Sequence, residues 1–465
     1  MERLTGADAW FLYVEGPTVL LHVTGLILLD PSTAPKGCSF DQLRRHIAGR
    51  LDLMPMLRRR LVEVPMAIDH PCWIEDPDFD LDQHVRHQVL SGGSSGELAE
   101  FLGVFAAVRL DRTRPLWEMV VIDELDDGTV AVVMKMHHCI VDGITGMEIL
   151  AQLLDLTPTA TRARKVSDWE SETLPGTPGV IAAAAWNRVT TPARPLRAAA
   201  DIASSLAHLA TTAVRRRIIG AEVAAHPLNA PRTCFNASIT ERRAVAFARA
   251  PLEDFRAIRR AFEVTVNDVV LAVCTFGLRE YLEVHDRIPD RALVCSVPVS
   301  THGHNEHDRS ANQVSDMFVH LPVQISDPVE QLRSIHVGCL GAKELHESVG
   351  ADMISDVVEL VPASMFHLGA RLYSEAGLAD RLPPIHNLIV SNVIGSPVPL
   401  FMAGAQVVGM FPFGPLMEGA GLNITVLSNN GEMNIGLIGC PDLVDDLDAL
   451  LAGMLRGVAV LLAAA

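Results

Sequence analysis

The order of apolar and polar positions along the 465-residue chain predicts a mixture of helices and strands. The run Thr129-Val130-Ala131-Val132-Val133-Met134-Lys135-Met136 is β-branched and apolar almost throughout, the composition of a buried strand. Beyond it, Met147, Leu150, Leu153 and Leu154 recur at helical spacing. Residues 40–51 also read as a helix. Thr265-Val266-Asn267-Asp268 has the form of a capping box, opening a helix through Val270, Val273 and Leu278. Strand-like runs follow at 292–299, 314–323, 386–393, 406–411, 422–427 and 433–438, and a terminal helix at 443–462.

Between these regions the character changes. Pro158, Pro175, Pro178, Pro192 and Pro195 punctuate Ala-rich, weakly amphipathic helical stretches such as 202–213. The expected organisation is an N-terminal domain over 1–155, a crossover over 156–233 and a C-terminal domain over 234–465, since one ordinary core does not grow to this length. Apolar residues make up 49% and charged residues 20%, which marks a folded, core-forming chain. The net charge of −18 argues against nucleic acid as a general partner. The crossover departs from that balance: residues 161–220 carry nine Arg or Lys against four Asp or Glu. It is either a solvated helix face or, through Arg215, Arg216 and Arg217, a contact for anionic head groups or for the phosphates of a nucleotide thioester.

The eight cysteines form no C-x-x-C pair and read as reduced thiols of a cytosolic protein. The N-terminus has no basic leader, and Glu15, Gly16, Pro17 and His22 interrupt its apolar run, so neither a signal peptide nor a span is expected there. The charge-free window 382–417 is broken by prolines and glycines. It reads as strands and loops lining an apolar interior.

The chemistry concentrates at Met136-His137-His138-Cys139-Ile140-Val141-Asp142-Gly143, a His-His-x-x-x-Asp-Gly element at a strand-to-helix junction. Strand neighbours face opposite ways, so His137 and His138 have different jobs. A core histidine is the bland reading of either alone; the joint spacing favours a site. A metal site fits less well than general-base chemistry: adjacent histidines lack the i, i+4 spacing of a zinc helix, and no third ligand cluster shows in the sequence. Cys139 reads as a filler between fixed positions.

The chain resembles the bacterial wax ester synthase/diacylglycerol acyltransferase family, especially its actinobacterial members, within the chloramphenicol acetyltransferase-like superfamily. The resemblance runs through residues 4–15, Asp111-Arg112-Thr113-Arg114-Pro115-Leu116-Trp117-Glu118, the His137–Gly143 motif, Asn267-Asp268-Val269-Val270-Leu271-Ala272, Ser391-Asn392-Val393 and Gly421-Leu422-Asn423-Ile424. The histidine motif is shared across the superfamily; Pro115-Leu116-Trp117 and Asn267-Asp268 narrow the assignment. The chain departs at Ile394-Gly395-Ser396-Pro397, where members often read Pro-Gly-Pro after Ser-Asn-Val. That puts the local geometry of the substrate channel in question.

The resemblance implies an α/β fold of two chloramphenicol acetyltransferase-like domains with mixed sheets and a tunnel between them. It implies transfer of a long-chain fatty acyl group from acyl-CoA to diacylglycerol or a fatty alcohol, with no cofactor, acyl-CoA being a co-substrate. His138 would be the base, since an alcohol must lose its proton to attack a thioester. Asp142 would be structural, pairing with an arginine or capping the next helix, Gly143 would permit close backbone approach, and His137 would support. Asn267 is either an oxyanion donor or a helix cap. Pro115 and Trp117 would be scaffold. The expected location is cytoplasmic, peripheral to the membrane's inner face or to lipid droplets. The competing readings are a carrier-protein-dependent condensation-type acyltransferase and a non-catalytic lipid-binding protein.

Overall fold

The computed structural model of the chain describes residues 1–465 apart from 35–36, 66–67, 141–142, 160–171, 191–224, 226–227, 301–313, 350–357, 359–360 and 362. Asp142, the Arg215–Arg217 triplet and the helix expected over 202–213 therefore lie outside the described residues.

The first part of the chain supplies β1 (Glu2–Arg3), β2 (His22–Asp30), β3 (Arg59–Val62), β4 (Cys72–Glu75), β5 (Val85–Val89), β6 (Trp117–Asp123) and β7 (Val130–His137). The remainder supplies β8 (Ala244–Pro251), β9 (Leu293–Ser300), β10 (Val314–Leu321), β11 (Leu388–Ile394), β12 (Phe401–Met402), β13 (Ala405–Phe413), β14 (Leu422–Asn429) and β15 (Glu432–Gly439). One six-stranded sheet has the order β12-β13-β2-β7-β6-β5, a second the order β10-β9-β11-β14-β15-β8, and a small sheet the order β1-β4-β3. Both large sheets are mixed. In the first only β5 and β6 run parallel, and in the second β11 is parallel to β9 and β14.

One expectation from the sequence does not hold. Residues 401–413, assigned to a separate C-terminal unit, complete the first sheet instead: β13 pairs antiparallel with β2 from Gln406↔Asp30 to Phe413↔Thr24. The charge-free window is thus divided, β11 entering one sheet and β13 the other. A strand apolar on both sides can enter a sheet covered on both faces, and β13 does so.

The continuous apolar run of β7 has the same cause. Val130, Val132, Met134 and Met136 join one cluster with Leu43 and Ile47 of the helix Phe40–Ala48 and Ile149 and Leu153 of the helix Gly143–Leu153. Ala131 and Val133, on the other face, join Leu98, Leu102 and Phe105 of the helix Ser95–Ala107. That second cluster also takes in Val245 of β8 and Ile438 of β15, so the two large sheets share a core. Lys135 is fully buried on this face, donating from Nζ to the Phe105 and Val108 carbonyls at 3.0 and 2.8 Å and satisfying the end of that helix.

The second sheet is covered by the capped helix Val266–His285 and the terminal helix Leu447–Ala463. They approach so closely at Gly277 that a Cβ there would lie 2.8 Å from the Met454 backbone nitrogen. Among the described residues no single helix is long and apolar enough to cross a membrane.

Candidate active site

The end of β7 is clamped from both sides. The His137 N–H donates to the Leu116 carbonyl at 3.0 Å and the His138 N–H to the Leu21 carbonyl at 2.8 Å. The chain then turns, Ile140 N–H returning to the His137 carbonyl at 3.0 Å, and a helix begins at Gly143. The two histidine backbones are held between the Pro115-Leu116-Trp117 segment and the start of β2, which explains why that segment keeps a set distance from the motif. Trp117 anchors the segment: its Nε1 donates to the Leu57 carbonyl at 2.7 Å, and its ring stacks on His84 at 4.6 Å. Pro115 is buried beside it.

The two histidines part company as strand alternation requires. His138 is partly exposed and stacks face to face on Phe11 of the helix Gly6–Tyr13, with centroids 4.1 Å apart and planes 15° from parallel. His137 is buried and lies opposite His22 across the β2–β7 ladder, the rings 5.5 Å apart. Its Nδ1 accepts the Cys139 N–H at 3.1 Å, which leaves the proton on Nε2. That nitrogen faces Glu15 Oε2 at 3.7 Å, while Glu15 Oε1 lies 3.8 Å from His22 Nε2. Arg112 donates to Glu15 Oε2, and Arg109 stands 3.5 Å from Oε1.

Burial alone would raise the Glu15 pKa. His137, Arg112 and Arg109 overcome that and hold it at about 2. Burial lowers His137 and takes His22 well below its ordinary value, so both are neutral imidazoles. Burial, with the Asp8 charge, pushes the Cys139 thiol far up, which removes it as a nucleophile. All eight cysteines are free.

The sequence showed no third ligand cluster beside the histidines, yet ligand atoms of Glu15, His22 and His137 lie within 4.8 Å of one another. The fold assembles them from the end of a helix, from β2 and from β7. His137 turns an N–H rather than a lone pair toward the cluster, and the Arg112 guanidinium already bonds Glu15 Oε2. The cluster is better described as an arginine-satisfied support for the motif. Glu15, His22 and Arg112 were missed as site residues because their partners are remote in sequence. Glu15 and His22 stood out only as breaks in an apolar run.

Asn267 is not the helix cap. Thr265 is: its Oγ accepts the Asp268 N–H at 3.1 Å and Asp268 Oδ2 accepts the Thr265 N–H at 2.8 Å. The Asn267 side chain is left to accept from Asn392 Nδ2 at 3.4 Å. The motif and this asparagine pair are linked through the core, because Ile140 and Val393 pack on the same apolar cluster. Within the departing segment Gly395 keeps the glycine of the Pro-Gly-Pro pattern, since a Cβ there would lie 2.4 Å from the Ser428 carbonyl; nothing in the structure explains Ile394 and Ser396.

Residues 4–270 match the wax ester synthase/diacylglycerol acyltransferase catalytic domain and residues 310–460 match the C-terminal domain of the same family. The chain belongs to this family. A putative diacylglycerol O-acyltransferase of Mycobacterium tuberculosis is 38% identical over 452 residues, 96% of this chain and 87% of that one. A probable diacylglycerol O-acyltransferase of the same organism is 30% identical, with 97% of each covered. The wax ester synthase/diacylglycerol acyltransferase of Marinobacter aquaeolei superposes with a TM-score of 0.69 at 27% identity, covering 99% of this chain and 98% of that one. The first condensation domain of the CDA synthetase shares the fold at a TM-score of 0.56 and 17% identity. As a member of the wax ester synthase/diacylglycerol acyltransferase family the chain is an acyltransferase, and its two-domain mixed α/β fold is of the chloramphenicol acetyltransferase type.

Proposed function

We propose that the enzyme moves a long-chain fatty acyl group from acyl-CoA to diacylglycerol, forming triacylglycerol, and makes wax esters when a fatty alcohol takes the acceptor's place. His138 is the general base. It removes the hydroxyl proton as the oxygen attacks the thioester carbon, Asn267 donates to the resulting oxyanion, and collapse expels CoA thiolate, which takes the proton back from the imidazolium. A thiolate leaves readily, so no acyl-enzyme is needed, and the only co-substrate is acyl-CoA. The observation that carries this reading is the placement of His138: its backbone is clamped at the end of β7, and its ring is partly exposed while its neighbour His137 is buried.

The acyl chains would lie in a tunnel between the two domains, bounded by the charge-free strands β11 and β13. Asp142 and Gly143 would set the turn into the following helix. The Arg215–Arg217 triplet would meet phosphate groups of CoA or of lipid. A water-insoluble acceptor and product would favour a cytoplasmic enzyme held peripherally at the inner face of the membrane or on lipid droplets. Labelled palmitoyl-CoA offered with diacylglycerol and with hexadecanol tests the reading by product. Triacylglycerol as the main labelled lipid supports it, a wax ester as the main product reverses the choice of acceptor, and no ester from either acceptor overturns it.

A further inference from the structure

Phe11 belongs to no part of the motif, yet its ring is the flat surface against which the His138 imidazole lies, at 4.1 Å and 15°. The helix that carries it is tied down on several sides. Thr5 caps its start, accepting the Asp8 N–H at 3.1 Å, and Arg112 reaches the Leu12 carbonyl at 3.2 Å. The Tyr13 hydroxyl bonds His70 Nδ1 at 2.6 Å, and Glu15 is locked among His137, His22 and Arg112 just beyond the helix. Phe11 packs at the margin of two apolar clusters, so its ring has little freedom of its own.

We infer that Phe11 is a positioning residue for His138. The inference rests on the general-base reading of that histidine. Backbone hydrogen bonds fix the His138 main chain, and the plane of its ring lies along the Phe11 face. A parallel aromatic face helps hold the imidazole in that plane. With Nδ1 buried, Nε2 is the nitrogen left to meet an incoming hydroxyl. The same face acts during turnover: when His138 takes the acceptor's proton it becomes an imidazolium lying over the negative face of a phenyl ring, an attraction absent from the neutral ground state. Such an interaction accelerates the chemical step and leaves substrate binding unchanged.

The test is steady-state turnover of palmitoyl-CoA with diacylglycerol by Phe11→Leu, Phe11→Met and Phe11→Tyr, with the melting temperature of each. Leu and Met keep apolar bulk and remove the ring. Both should lower kcat about tenfold or more while KM for palmitoyl-CoA stays within about twofold, and Tyr should restore kcat. A folded Phe11→Leu or Phe11→Met with wild-type kcat overturns the inference, as does loss of folding in both, which would make Phe11 a core residue only. His138→Ala, run alongside, separates the two levels. If it keeps wild-type kcat the base assignment fails; if it is inactive while Phe11→Leu turns over normally, only the role of Phe11 fails.

Discussion

Glu15 Oε2 stands 3.7 Å from Nε2 of His137, both side chains 1% exposed, in a cluster directly behind the proposed base. A buried carboxylate survives there because two arginines and a protonated ring nitrogen face it. Glu15→Gln keeps the shape and removes the charge, leaving Arg112 half-buried without its main partner. The expected cost is about 3 kcal/mol of stability, read from urea denaturation, together with lower activity. Unchanged stability would show that the carboxylate does not hold this junction together.

The same cluster gives the enzyme an acid limit. His22 and His137 have folded pKa values below 6.5, so the folded state resists protons that the unfolded chain accepts. Their contribution is complete above 6.5 and is lost as pH falls below it. Glu15, held at about 2 against 4.5, adds stability that is lost between those values. The melting temperature should be level above neutrality and fall on acidification. His22→Phe should flatten the first part of the fall, between 6.5 and 4.5; an identical slope would remove His22 from the account.

Trp117 is assigned to scaffold. Trp117→Phe leaves the Leu57 carbonyl without its indole donor and should cost about 1–2 kcal/mol. Once folded, the variant should turn over at a rate within about twofold of wild type. A large loss of kcat at unchanged stability would move Trp117 into the chemistry.

Thr265 and Asn267 stand two positions apart in the chain and do different jobs. Thr265→Ala should cost about 1 kcal/mol and spare kcat, whereas Asn267→Ala should leave the melting temperature in place and lower kcat about a hundredfold. The reverse pattern would assign the oxyanion to another donor.

Much of this was legible in the sequence because it is local. β7, the helix after it, the capping box at Thr265 and, β8 apart, the strands of the second sheet follow from periodicity and cap chemistry within short windows. What escaped is long-range. Nothing within 405–413 states that β13 pairs with β2 rather than with its sequence neighbours, since a strand apolar on both sides fits either sheet. Glu15, His22, Arg112 and Phe11 meet the motif only after folding. Asn267 showed the limit of composition: the sequence leaves it open between oxyanion donor and helix cap, and the geometry gives the capping task to Thr265.

The central claim is that His138 carries the proton and His137 carries the structure. Purified His138→Ala, assayed for acyl transfer from palmitoyl-CoA to diacylglycerol with its melting temperature recorded, tests this most directly. The account predicts turnover lowered by at least about a thousandfold in a protein that melts within a few degrees of wild type. A folded His138→Ala enzyme with near wild-type kcat would contradict it.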